Sequence, residues 1–198
     1  MRTRSITVCT ILLISGVLIV QAQDQGGRGR GPAGIGLTLA TPAFADGSEI
    51  PPKYTQSVPN PVSPKLEWSN VSADTVAFVL HMHDPHMHDP DVALQKKTND
   101  QLHWMVLNIP GTARELAEGI PTDPKLPDGA VQLKNGGNTV GYRGPGAPAA
   151  GPYHHYTIEL YALDAKVDPG PDATRADVLN AIDGHIPGKA VLSGRFHR

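Results

Sequence analysis

Short runs in which apolar and polar residues alternate, cut apart by turn-forming residues, restrict this chain to a fold made of strands. Trp104 to Ile109 puts Met105, Leu107 and Ile109 on one face, and Thr157 to Ala162 sets Ile158, Leu160 and Ala162 against Thr157, Glu159 and Tyr161. A period of two belongs to a strand. Val76 to Met82 is apolar almost throughout and reads as another, with shorter ones at Leu37 to Leu39, Val131 to Leu133 and Ala190 to Leu192. The 19 Pro and 21 Gly supply the connections, and many short strands with such connections predict a mainly all-β, antiparallel β-sandwich. Two short helices are expected at its edges. Thr112-Ala113-Arg114-Glu115 has the form of a capping box closed by Gly119 and Pro121, and Thr174 can cap a helix carrying Val178, Leu179 and Ile182 on one face before Gly184.

The N-terminus predicts export. Arg2 and Arg4 precede an apolar stretch from Ile6 to Val20, and Val20-Gln21-Ala22 suits signal-peptidase cleavage. The stretch is shorter than the roughly twenty residues of a membrane-spanning helix. Residues 1–22 are therefore expected to be a signal peptide, 23–35 a flexible Gly-rich tether and 36–198 a single domain in a secreted or periplasmic protein. The single cysteine, Cys9, lies inside the apolar stretch, so the mature chain has no thiol chemistry and its core must supply stability. Loss of Arg2 and Arg4 from 17 basic residues leaves 15 against 19 acidic ones, a balance of −4. With no Lys/Arg cluster, nucleic acid is excluded as a partner, and phosphate recognition would have to be local to a pocket. The mature chain is expected to have no integral membrane segment. A homodimer stays open.

Chemistry gathers in three separated segments: Asp89-Pro90-Asp91, His103-Trp104, and Tyr142 to Pro148 leading to His154-His155-Tyr156. They offer imidazoles, a carboxylate, a phenol and a glycine-rich turn, which are the parts of an anion site. His103 and His154 can donate N–H bonds to phosphate oxygens, Tyr156 can add a hydroxyl, and Gly144 and Gly146 let backbone amides approach because no Cβ intervenes. A carboxylate would repel an anion, so Asp89 makes sense as the partner of a ring N–H. Binding is then expected to tighten as pH falls through the histidine range near 6.5. Each residue also has a plainer reading: His103 as a core histidine at the head of an apolar strand, Gly144 and Gly146 as turn residues, and Tyr161 as half exposed on its strand.

Asp89-Pro90-Asp91 lies fourteen residues before His103-Trp104, and Asn108-Ile109-Pro110, Gly141-Tyr142-Arg143-Gly144-Pro145 and His154-His155-Tyr156 follow. In these motifs the chain resembles the phosphatidylethanolamine-binding protein family. Ser63 to Trp68 and Leu160 to Asp164 match its bacterial branch, often labelled Raf-kinase-inhibitor-like, and the resemblance runs from Leu37 to Arg198. It implies an antiparallel β-sandwich with a small anion pocket at one end, a phospholipid-headgroup-like ligand and a modulatory role. The pocket residues it implies are Asp89, His103, Gly144, Gly146, His154 and Tyr156. An exported chain would not meet a cytosolic kinase, so kinase inhibition is not carried over.

The chain departs from the family pattern at a tandem repeat. Residues 81–85 and 86–90 both read His-Met-His-Asp-Pro, which leaves two aspartates where the family has one. Counting from His103 favours Asp89, whereas a strand running straight on from Val76 would bring in Asp84. Val92-Ala93-Leu94 lacks the family's proline, Ala147 replaces one of two prolines, and His155 stands where many relatives carry arginine. The repeat also supports an alternative reading as a transition-metal site, with His81, His83, His86 and His88 beside Asp84 and Asp89, although its spacing matches no established metal signature. No metal and no cofactor is assigned. A weak hydrolase is the third reading, but no Gly-x-Ser-x-Gly elbow or other marked nucleophile occurs, and an enzyme is not expected.

Overall fold

The computed structural model describes residues 36–85, 100–149, 152–168, 170 and 172–198. The expected signal peptide and tether, and His86, His88 and Asp89, lie outside these residues. In chain order the strands are β1 (Thr38–Ala40), β2 (Leu66–Ser69), β3 (Ala77–Asp84), β4 (Gln101–Pro110), β5 (Glu115–Leu116), β6 (Val131–Gln132), β7 (His154–Leu163) and β8 (Gly188–Phe196), with helix α1 (Arg175–Ile182) between the last two. They form an antiparallel sheet of three, β1-β2-β5, and one of five, β6-β4-β3-β7-β8. The expected sandwich is present.

The larger sheet is buried on both faces at its centre, which explains why β3 is apolar almost throughout. Phe78, Leu80, Met82, Trp104, Val106, Ile158 and Leu160 pack with Leu66, Trp68 and Leu116 of the smaller sheet. On the opposite face, Val79, Met105, Leu107, Tyr161 and Leu163 pack with Val178 and Ile182 of α1. Trp104 is fully buried and donates its indole N–H to Gln132 Oε1 at 2.7 Å, so its one polar atom is satisfied. Truncating such a side chain costs about 3–5 kcal/mol.

Four expectations need correction. Met105, Leu107 and Ile109 do not share a face: Met105 and Leu107 pack beneath α1, while Ile109 joins the inter-sheet core. The cause is a bulge. From Phe78↔Ile109 to Leu80↔Val106 the register advances two residues on β3 and three on β4, and Asn108 sits there with φ 55°. The segment after Thr112 is not a helix but a turn into β5, where Leu116 pairs with Leu66. Tyr161 is buried rather than half exposed. The C-terminal helix forms as expected, with Thr174 and Asp177 making a reciprocal capping box, but it lies on the outer face of the large sheet and not at an edge. Among the described residues, no helix is long and apolar enough to cross a membrane.

Candidate functional site

β3, β4 and β7 are neighbours in the large sheet, and their ends carry Asp84, His103, His154 and Tyr156. These four line a cavity of about 330 Å³ whose remaining wall is Gln56, Gln101, Arg143, Gly146 and Ala147. A cavity of about 350 Å³ beside β6 is lined by Leu107, Val131 and Val167 together with Lys134, Asp168 and Asp172, and has neither histidine nor tyrosine among the described residues. The smaller cavity therefore holds the recognisable chemistry.

His103, His154 and Tyr156 at the smaller cavity are each held by a specific partner. His154 Nδ1 lies 2.7 Å from Asp84 Oδ2, and both residues are buried. With Nδ1–H donating to the carboxylate, the tautomer and the ring plane of His154 are set. His103 Nδ1 lies 2.8 Å from the Arg143 carbonyl, so it must carry the proton, and Nε2 remains for a ligand. Burial lowers the proton affinity of His103 below its ordinary value, despite the hydrogen bond to Arg143 that opposes this. Burial also raises Tyr156, which stays a neutral phenol. The Tyr156 hydroxyl accepts from the Gly146 amide at 3.3 Å, leaving its own proton to donate elsewhere. Its ring meets the edge of His103 at 5.1 Å between centroids. Arg143 brings a cation to the wall and has no carboxylate within ion-pair distance among the described residues.

The structure thus brings together His103, His154, Tyr156 and Gly146 of the expected residues. Among the described residues the carboxylate at the cavity is Asp84, the alternative that the strand from Val76 offered; Asp89 lies outside them. Gly144 is not on the cavity wall. A Cβ there would stand 2.6 Å from the Tyr54 carbonyl oxygen, so the glycine is required by close packing. The Gly146 amide is likewise engaged by Tyr156 instead of pointing at an anion. His103 acts differently from expectation, because in the neutral ring the nitrogen left for a ligand is an acceptor. Sequence reasoning missed Gln56, Gln101 and the wall position of Arg143. Arg143 lay inside a recognised motif, but Gln56 comes from the turn after Pro52–Tyr54, where nothing in the sequence points to a pocket.

Comparison with known proteins agrees with this architecture. The family model described as phosphatidylethanolamine-binding protein matches residues 40–197. A UPF0098 protein of Methanothermobacter thermautotrophicus is 39% identical over 162 residues, covering 82% of this chain and 99% of its own. A Mycobacterium tuberculosis chain bearing the lipoprotein name LppC is 35% identical over 167 residues, covering 83% of this chain and 74% of its own. The crystal structure of CT736, a phosphatidylethanolamine-binding protein homologue of Chlamydia trachomatis, is similar with a TM-score of 0.70 and 32% identity, over 82% of this chain and 98% of that one. Escherichia coli YbcL, at 23% identity and a TM-score of 0.71, shares the fold over 83% of this chain and 99% of its own. With motif, fold and family model in agreement over the same residues, the chain belongs to the phosphatidylethanolamine-binding protein family.

Proposed function

We propose that this protein reversibly binds a small phosphoryl or other anionic group, of the kind found on phospholipid headgroups, in the cavity between Asp84, His103, His154 and Tyr156. The observation that carries this reading is the division of labour between the two imidazoles. Asp84 supports His154, while His103 is held by a neutral carbonyl and keeps Nε2 for the ligand. A singly protonated phosphoryl group fits both: its P–OH donates to neutral His103, and its oxygens accept from Tyr156 and Arg143. Among the described residues the wall includes no Ser, Thr, Cys or Lys, and Tyr156 is held protonated, which supports a reading as a binding site rather than a catalytic one. The lipoprotein name of a relative and the N-terminal sequence both support export, which would place this binding outside the cytosol and suit a modulatory role.

Titration with phosphoethanolamine, followed through the histidine ring signals by NMR, tests the reading. Saturable shifts at His103 and His154 are expected at pH 6, weaker at pH 7.5 because the second phosphate proton is lost near a pKa of about 6. Equal affinity at the two pH values, or no shift at either ring, would overturn it. Asp84→Asn and His154→Gln each remove a charge-assisted bond of about 1.5–3 kcal/mol and should weaken binding roughly 10- to 100-fold in the folded protein.

A further inference from the structure

The alternation along β3 sends Asp84 toward the cavity and His81 and His83 to the opposite face of the sheet, where β7 presents Glu159. One ligand atom from each of these three residues lies within 4.8 Å of the other two. We propose that His81, His83 and Glu159 form a binding site for a divalent transition-metal ion, zinc by donor type, separate from the anion cavity and independent of its function.

The geometry is close to what such an ion requires. His81 Nδ1 and His83 Nε2 lie 3.1 Å and 3.6 Å from the same oxygen, Glu159 Oε2. In a tetrahedral zinc site, bonds of about 2.0–2.1 Å give ligand-to-ligand edges of roughly 3.3 Å, between those two distances. The rings stand one above the other at 4.4 Å and 5°, as residues two apart on a strand allow. Two imidazoles and one carboxylate leave a fourth position open, a donor set that suits zinc better than calcium or magnesium.

The surroundings support ligation. Asp100 accepts from His83 Nδ1 and is itself held by Arg175. A carboxylate on the far nitrogen orients a histidine ligand and strengthens it. Lys189 takes Glu159 Oε1 at 2.5 Å, which leaves Oε2 as the coordinating oxygen. That oxygen also receives Tyr161 O–H at 2.8 Å. Ligation through Nδ1 places the remaining proton of His81 on Nε2, which is buried without a hydrogen-bond partner among the described residues. The side chains of His83 and Glu159 are 18% and 14% exposed, so an ion has a path in. Burial lowers the proton affinity of His81, keeping it in the ligating form, and the ion would displace the proton that Glu159 and Asp100 favour on His83.

The test is a calorimetric titration of tag-free, chelator-stripped protein with Zn²⁺, paralleled by Co²⁺ and its visible absorption. One ion per chain is expected, with cobalt bands of a four- or five-coordinate site. Glu159→Gln and His83→Gln should each weaken binding about tenfold or more, and Asp100→Asn by about tenfold through orientation alone. The double variant His86→Gln, His88→Gln should bind as the unaltered chain does. Near-ultraviolet circular dichroism checks that each variant is folded, and if Glu159→Gln is not, His83→Gln carries the test. The proposal is overturned by absence of saturable binding, by unchanged binding in a folded His83→Gln protein, or by loss confined to the His86, His88 variant. Phosphoethanolamine binding can fail or succeed without altering any of these outcomes.

Discussion

At Gly144 and Gly146 the same residue type answers two different demands. A methyl at Gly144 meets the backbone carbonyl of Tyr54 at 2.6 Å, and main chain cannot swing aside. One at Gly146 first meets the amide end of Gln56, at 2.5–2.7 Å, which is a side chain held by a 2.6 Å bond from Nε2 to the Gly144 carbonyl. Gly144→Ala should therefore destabilise the protein by about 1–3 kcal/mol, read as a lower urea midpoint. Gly146→Ala should lower that midpoint less than Gly144→Ala does and alter phosphoethanolamine affinity, because Gln56 is part of the cavity wall. An unchanged midpoint for Gly144→Ala would show that close packing against Tyr54 is not what requires the glycine. His103, His154 and Tyr156 were singled out by their motif positions, since a buried histidine or tyrosine on a strand is otherwise as consistent with a plain core residue. The two glycines were ambiguous because turn geometry, tight packing and anion approach all select the same residue. The use of His103 as an acceptor was not legible at all, since it depends on a backbone carbonyl 40 residues away.

Among the elements, β4 shows where periodicity stops being a sufficient guide. Taking every second residue from Met105 assigns Leu107 and Ile109 to its face, yet the bulge at Asn108 turns Ile109 to the other face from Met105 and Leu107. The signal was the residue type, since asparagine tolerates a left-handed backbone better than most. The bulge is held from outside: Asn108 Nδ2 donates to the Val167 carbonyl at 2.7 Å, and the Val167 amide donates to Oδ1 at 3.0 Å. Asn108→Ala loses both bonds and places alanine at positive φ, so a loss of about 2–3 kcal/mol in urea denaturation is expected. Asn108→Gly should lose less, because it keeps the backbone conformation; equal losses would show that φ contributes nothing. The capping-box pattern at Thr112 misled for a related reason. Local propensity there is outweighed by pairing of Glu115 and Leu116 with β2. At Thr174 no strand competes, and the same pattern does form a helix.

For the molecule as a whole, the histidines set opposing limits on stability. Burial lowers His81 and His103, so below the ordinary value of 6.5 the unfolded chain takes up protons that the folded one refuses, and stability falls. Burial acts against His83 too, but its bonds to Glu159 and Asp100 outweigh it and raise the group. Its stabilising contribution is complete below 6.5 and is lost as pH rises through the folded value. A stability maximum near pH 6.5 is expected in urea midpoints measured from pH 5 to 8. His83→Gln should flatten the alkaline limb and His103→Gln the acid one; a maximum that stays in place in both variants would contradict this assignment. The tandem repeat at the end of β3 has a consequence of another kind. Removing residues 81–85 or residues 86–90 produces the same amino-acid sequence, in which Ala77 to Leu80 still run into His-Met-His-Asp-Pro. Gain or loss of one copy therefore rewrites the length between β3 and β4 without changing which residues follow the apolar run. It also explains why counting back from His103 led to Asp89 while counting forward along the strand leads to Asp84. The distance from His103 records how many copies the chain carries, and only the unbroken strand records where the carboxylate stands.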